Sequence, residues 1–322
     1  MRAMQTGLNT FTRLRTSLGL LLVAMLALAS GCSIKQIAIN KLGDALSGGG
    51  ITFASDDDPE LVKAAVPFSL KLIESLLAES PRHPGLLLAA ASGFTQYSFA
   101  FVHEEADEKE DSDLAAADAL RARAKRLYLR ARGYGLRGLE VKHPGFEQAL
   151  RRNPTSAVKS VRAAEVPLLF WTAAAWGAAI SISKDDPSLV SDQPIIEALI
   201  DRALELDEDF DSGSIHSFLI AYEMARQGAP GDAATRSRKH FERAVELSKG
   251  QSASAFVSLA ESVSLQGQNK AEFQKLLQQA LAINADAVPA ARLQNLVAQR
   301  RARWLLGRVD ELFLDASGNN PK

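Results

Sequence analysis

Gly133-Tyr-Gly135-Leu-Arg-Gly138 has the spacing with which a glycine-rich loop cradles a dinucleotide pyrophosphate. That chemistry needs a hydrophobic strand before the loop and a helix after it. Here Arg121 to Arg132 form a basic helical pattern before the glycines, and Pro144 interrupts the chain soon after them, so the glycines serve close helix contact or a kink instead. His103-Glu104-Glu105 opens like a zinc-protease motif, but Asp107 stands where the second histidine would have to be. His83, His143, His216 and His240 show no ligand spacing either. Ser156-Ala-Val-Lys159 and Ser181-Ile-Ser-Lys184 match the first motif of penicillin-binding sites without the motifs that complete it. The expectation is a protein that is not an enzyme, with no catalytic residues, no metal and no cofactor.

Cys32 is the residue with the clearest covalent chemistry. Arg2, Arg13 and Arg15 precede an uncharged run from Leu18 to Ala29, whose twelve residues would span only about 18 Å as a helix. That is short of the roughly 30 Å needed to cross a bilayer, so the run reads as the core of an export signal. Ser30-Gly31-Cys32-Ser33 then places the single cysteine where a bacterial lipobox would have it, although Ala29 holds the position usually occupied by Leu. Cys32 is the expected lipid anchor, carrying diacylglycerol on its thiol and a further acyl chain on its amine. Ser33, which is not an acid, favours sorting to the outer membrane from the periplasmic side. The alternative is a plain secretory signal with an incidental cysteine.

The balance of the remaining chain is that of a globular protein. Of 322 residues 47% are hydrophobic, and 37 Lys+Arg nearly cancel 38 Asp+Glu. Without the first 31 residues no basic excess is left to attract nucleic acid. Lys35 to Gly50, ending in Ser47-Gly-Gly-Gly50, reads as a tether. The expected organisation is a signal over 1–31, a lipidated tether over 32–58, one helical domain over 59–316 and a tail over 317–322.

Within that domain the punctuation is that of helix starts: Asp58-Pro59, His83-Pro84, Asp186-Pro187 and Gln193-Pro194 each put proline in a first turn. The pattern predicts helices at roughly 60–79, 84–103, 113–141, 155–165, 167–182, 194–206, 211–226, 234–248, 252–265, 270–283 and 288–315, and no sheet. Three segments share a large apolar residue, Ala three positions on, then apolar, polar, apolar: Ile200 to Leu206, Phe241 to Leu247 and Leu277 to Ile283. Their alanines, Ala203, Ala244 and Ala280, are 41 and 36 residues apart, against about 34 in a regular tetratricopeptide array. The expected fold class is therefore all-α, an irregular tetratricopeptide-like array of helical hairpins, either an α-solenoid or a helical bundle.

Glu104 to Asp113 holds seven acids in ten residues and is followed by the basic run from Arg121 to Arg137. An acidic loop beside a basic helix makes solvated faces with local ion pairs, or a platform for another protein. Phe94, Tyr97 and Phe101 share one helical face, and Trp171 and Trp176 flank Ala173-Ala-Ala175 on another. These five are the candidate ligand-binding residues, because large rings beside Ala and Gly leave room for a partly apolar guest; plain packing is the competing reading.

Several stretches together resemble the TRAP transporter T-component (TatT) lipoproteins: Thr52 to Glu60, Leu77 to Pro81, Ser92 to Tyr97, Arg126 to Arg132, Trp171-Thr-Ala-Ala-Ala-Trp-Gly-Ala-Ala-Ile180, Arg202 to Leu206, His240 to Ala244 and Gln299 to Trp304. The Trp-Thr-Ala-Ala-Ala-Trp stretch is the most specific. The resemblance implies a periplasmic lipoprotein with tetratricopeptide-like hairpins. It would work beside the solute-binding protein (P component) of a tripartite ATP-independent periplasmic transporter, and a small organic ligand is a further expected partner. The membrane contact would be through the lipid alone, and a homo-oligomer, a trimer, is the expected assembly. The alternative that the repeats allow is a lipoprotein scaffold for outer-membrane assembly or secretion machinery.

Overall fold

The computed structural model describes residues 39–45 and 50–313, and within them every regular element is a helix. The signal segment, Cys32 and the tail lie outside the described residues. Two short helical stretches, 39–45 and Gly50–Ala54, precede the body within the segment expected to be a tether. Asn40 of the first accepts a hydrogen bond from Ser80 Oγ.

The body begins with α1 (Pro59–Glu79) and α2 (Pro84–Ser98). Both start where the prolines predict. Asp58 accepts from the Glu60 and Leu61 amides, and His83 Nδ1 accepts from the Leu86 amide, so first-turn donors that have no helical partner are satisfied by side chains. The helix of α2 then widens into a π turn at Phe99–His103 and resumes at Glu104–Lys109, so the acidic block is largely helix rather than the expected loop. Asp113 caps α3 (Leu114–Lys142), which runs unbroken through the glycine motif. A left-handed Gly145 starts α4 (Phe146–Arg152), a helix that the sequence pattern does not announce.

The helix expected over 155–165 is broken into short turns at Pro154–Ala157, Val158–Ser160 and Ala163–Glu165. Val161 and Arg162 are extended between them, and the Glu165 carboxylate holds the Arg162 amide, which a continuous helix would not leave free.

Then follow α5 (Val166–Ser181), α6 (Gln193–Leu206), α7 (Phe210–Ala225), α8 (Ala233–Leu247), α9 (Ala253–Leu259), which ends in a second π turn at Ala260–Ser264, and α10 (Lys270–Ala282). The last expected helix, 288–315, is shorter: 3-10 turns at Ala285–Ala287 and Pro289–Ala291 lead into α11 (Arg292–Gly307).

Helices α5 and α6, α7 and α8, and α9 and α10 pack as successive hairpins. Ala203, Ala244 and Ala280 lie on the second helix of each, and all three are fully buried. Three apolar clusters fill the body, one under the first hairpins, one around α5 and α6, and one around α9 to α11. Leu86, Leu87 and Leu139 are fully buried within them, each worth roughly 1.5–3 kcal/mol of burial.

Helix α11 returns to touch α1 and the Gly50–Ala54 stretch, so the end of the described body closes on its beginning. Two segments, Pro84–Lys109 and Ala163–Ser181, are long and apolar enough to cross a membrane by length and composition, but most of each apolar stretch is buried inside the protein.

Candidate functional site

The seam between α3 and α5 is set by the glycine motif. A β-carbon at Gly135 would collide with Thr172 Oγ1, and one at Gly138 would press on the Leu168 methyls, so the two backbones approach more closely than larger residues would permit. The motif thus works as a helix contact without a kink. Thr172 satisfies its buried hydroxyl on the Leu168 carbonyl at 2.5 Å, so the hydroxyl adds no unpaired donor to the seam.

The five aromatic residues divide between two parts of this core. Phe94, Tyr97 and Phe101 are buried in the cluster under the first hairpins, where Phe94 stacks on Tyr134 of α3 with ring centroids 5.9 Å apart, and Tyr97 tilts against Phe101 at 5.8 Å. Arg130 lies over Phe94, and Arg123 reaches the Tyr97 hydroxyl at 3.3 Å. Trp176 and Trp171 belong to the cluster around α5 and α6. Trp171 is half-buried with its ring edge against Phe170, whereas Trp176 is 1% exposed. The structure groups the α2 rings with one another and separates them from the two tryptophans. A shallow apolar cleft of about 140 Å³ opens near the start of α5, between Pro84, Gly85, Leu88, Gly138, Val141 and Leu168, and none of the five aromatics lines it. At its rim Glu165 is buried and paired with His143 Nε2 at 2.9 Å.

Arg132 is the residue of this seam that sequence reasoning missed. Its guanidinium carbon stands 4.6 Å from the Trp176 ring, a contact worth about 0.5–2 kcal/mol. Burial lowers the Arg132 pKa from its ordinary value, with Asp192 and Glu147 opposing that shift from a distance and Arg151 adding to it. One basic residue among seven between Arg121 and Arg137 carries no sequence signal that it alone will sit on a buried indole.

A second constellation lies where the ends of the body meet. Arg301 of α11 is paired with Glu261 at 2.7 Å, Asp107 at 3.0 Å and Glu104 at 3.7 Å. Glu104 follows directly on the first π turn and Glu261 lies in the second, so both widened turns converge on one guanidinium. Burial pushes the Glu104 carboxyl up to about 8; Arg301 pulls it down, and Glu261, Asp107 and Glu108 push it further up. Next to it, His103 Nδ1 lies 3.3 Å from the buried Tyr128 hydroxyl, and burial lowers the His103 pKa. Arg300 and Arg308 pair with Glu108 and Asp111, and the guanidinium carbons of Arg301 and Arg308 lie 4.4 and 4.7 Å from the Trp304 ring. The other acids of the block are engaged too: Glu105 with Lys63, Glu110 with Arg121, and Asp113 as the cap of α3. The block therefore spends its charge inside the molecule, mainly on the end of the chain, and the basic run contributes only Arg121.

The described residues form an all-helical body of packed hairpins without a strand, its two ends tied together by charged residues. Residues 55–313 match the model of the TRAP transporter T-component family, and the chain belongs to that family. Over 306 residues it is 27% identical to an uncharacterized protein of Treponema pallidum (strain Nichols), a similarity that covers 89% of this chain and 95% of the other. The family implies a role as a TRAP transporter component.

Proposed function

We propose that the chain is a non-enzymatic accessory of solute uptake, held in the periplasm by lipid on Cys32. It docks the solute-binding protein of its transporter and relays a small, partly apolar organic ligand. The observation that carries this reading is that the family match spans the whole helical body rather than one hairpin of it. Export and anchoring rest on the Arg2 to Ser33 pattern, with the outer membrane favoured by Ser33. The three hairpins with a buried alanine on each second helix support a tetratricopeptide-like arrangement, the kind of curved helical surface that serves docking. Phe94, Tyr97, Phe101, Trp171 and Trp176, with the small residues beside them, are the proposed ligand-binding residues, and a trimer is the proposed assembly.

The test uses the full chain, purified from detergent-solubilised membranes, with the solute-binding protein of a tripartite ATP-independent periplasmic transporter from the same cells. Co-elution on size-exclusion chromatography and saturable binding by interferometry are expected. No complex at micromolar concentrations, with or without transported solute, would defeat the docking role.

A further inference from the structure

Arg132 and Trp176 meet as donors without acceptors. Arg132 Nε and Trp176 Nε1 are both buried, and neither has a hydrogen-bond partner. The one cation of the neighbourhood that is well supplied is Arg151, which lies 3.3 Å from Glu147 and 3.8 Å from Asp192. Those two carboxylates are the acids that act on Arg132 electrostatically, yet neither comes within ion-pair distance of it. The half-buried guanidinium of Arg132 makes no ion pair or hydrogen bond among the described residues, and its contact is the face of the indole.

A buried donor with nothing to accept its hydrogen is costly, and native proteins supply the missing acceptor from water or from a ligand. Two such donors on touching side chains, one of them charged, ask for an acceptor that is negative and has more than one oxygen. A guanidinium presents its N–H groups in its own plane, the geometry that receives a carboxylate two-pronged. Ala173 and Ala179, three residues to either side of Trp176 on α5, are small and fully buried.

We infer that Arg132 and Trp176 form an anion-receiving subsite, which takes the carboxylate of a small monocarboxylate whose short apolar body lies along α5. This rests on the proposed ligand-relay role, and it names the end of the ligand that the seam would hold and the residues that would hold it.

The experiment is isothermal titration of the purified full chain with hexanoate, and with hexanamide as the neutral probe of the same shape. Saturable binding of hexanoate is expected, with hexanamide about ten-fold weaker or worse and Arg132→Gln weakening hexanoate by about ten-fold or more. Trp176→Phe, which keeps a ring and removes the indole donor, should weaken it several-fold. Absence of saturable hexanoate binding, equal binding of the amide, or unchanged affinity in Arg132→Gln would overturn the subsite, the last two by showing a merely apolar pocket and the first by leaving water as the acceptor. If Arg132→Gln does not fold, the comparison of hexanoate with hexanamide on the unaltered chain decides alone. Failure here with docking intact removes the subsite and leaves the accessory role standing, whereas loss of docking is read in the separate binding experiment.

Discussion

Glu108, in the helical turn after α2, and Arg300, near the middle of α11, form a two-pronged ion pair across 192 residues of chain, with Nε to Oε1 at 2.9 Å and Nη2 to Oε2 at 2.6 Å. Both side chains are partly exposed, so the attraction is screened by water and salt, and the fork geometry rather than burial gives the pair its value. A double-mutant cycle with Glu108→Ala and Arg300→Ala should return a coupling of about 0.5–1 kcal/mol that shrinks in 1 M NaCl. Coupling indistinguishable from zero at low salt would show that the two ends are held by apolar contacts alone.

Glu104 should make the protein less stable as pH rises. Its carboxyl is raised to about 8 in the fold against an ordinary 4.5, so the folded chain holds the proton more tightly than the unfolded one. The stabilising contribution of the protonated form is complete below about 4.5 and is lost as pH climbs through 8. Glu104→Gln, which keeps the shape without the charge, should match the unaltered chain at pH 5 and exceed it at pH 9 by on the order of 2 kcal/mol in urea unfolding. A gain that is the same at both pH values would contradict a buried neutral carboxyl.

His216 and His240 should respond in the opposite sense. Their Nδ1 atoms are 2.9 Å apart, so one ring must accept from the other, and both cannot be protonated there without repulsion. Burial first, then His240, lowers His216 to about 4, with Glu208 and Asp209 opposing and Arg243 adding to the shift; burial also lowers His240, which is faced by Glu223, Arg226, Asp201 and Arg236. The neutral pair stabilises the α7–α8 hairpin fully above about 6.5, and that contribution is lost as pH falls toward 4. Unfolding midpoints in urea should drop between pH 7.5 and 5, and the drop should flatten in His216→Gln.

Gly135→Ala places a methyl against Thr172 where the two backbones are closest. Helix propensity alone would make alanine favourable, so destabilisation of about 1–3 kcal/mol from overpacking is the signature of the close seam. Gly133→Ala, which meets open space, serves as the control and should be neutral or slightly stabilising. Thermal melts of the two variants side by side settle the point.

The long amphipathic helices were legible because their signals are local. Proline in a first turn placed the starts of α1, α2 and α6 within a residue or two, although the residue before it differs, Asp58, His83 and Gln193 in turn. The short α4 escaped, because its start depends on a left-handed Gly145 whose amide is held by Glu140, and neither shows in a hydrophobic period. The acid block was visible as charge, but its partners were not: Arg300, Arg301 and Arg308 lie nearly two hundred residues away, and the adjacent basic helix was the closer guess. In the candidate site, the aromatic residues were found from spacing, whereas their division between two clusters and the unpaired state of Arg132 follow from how α3 crosses α5, which depends on the small residues at the contact.

The ring closure also orders events in time. Until α11 has formed, Asp107, Glu108 and Asp111 lack Arg301, Arg300 and Arg308, which pair with them in the finished fold, so the first hairpin does not have its final stability when it first becomes available to fold. Completion waits on the last long helix among the described residues. A copy cut short before Arg292 would therefore present a loosened beginning as well as a missing end, and a protease that tests one terminus would in effect be reading the integrity of the other.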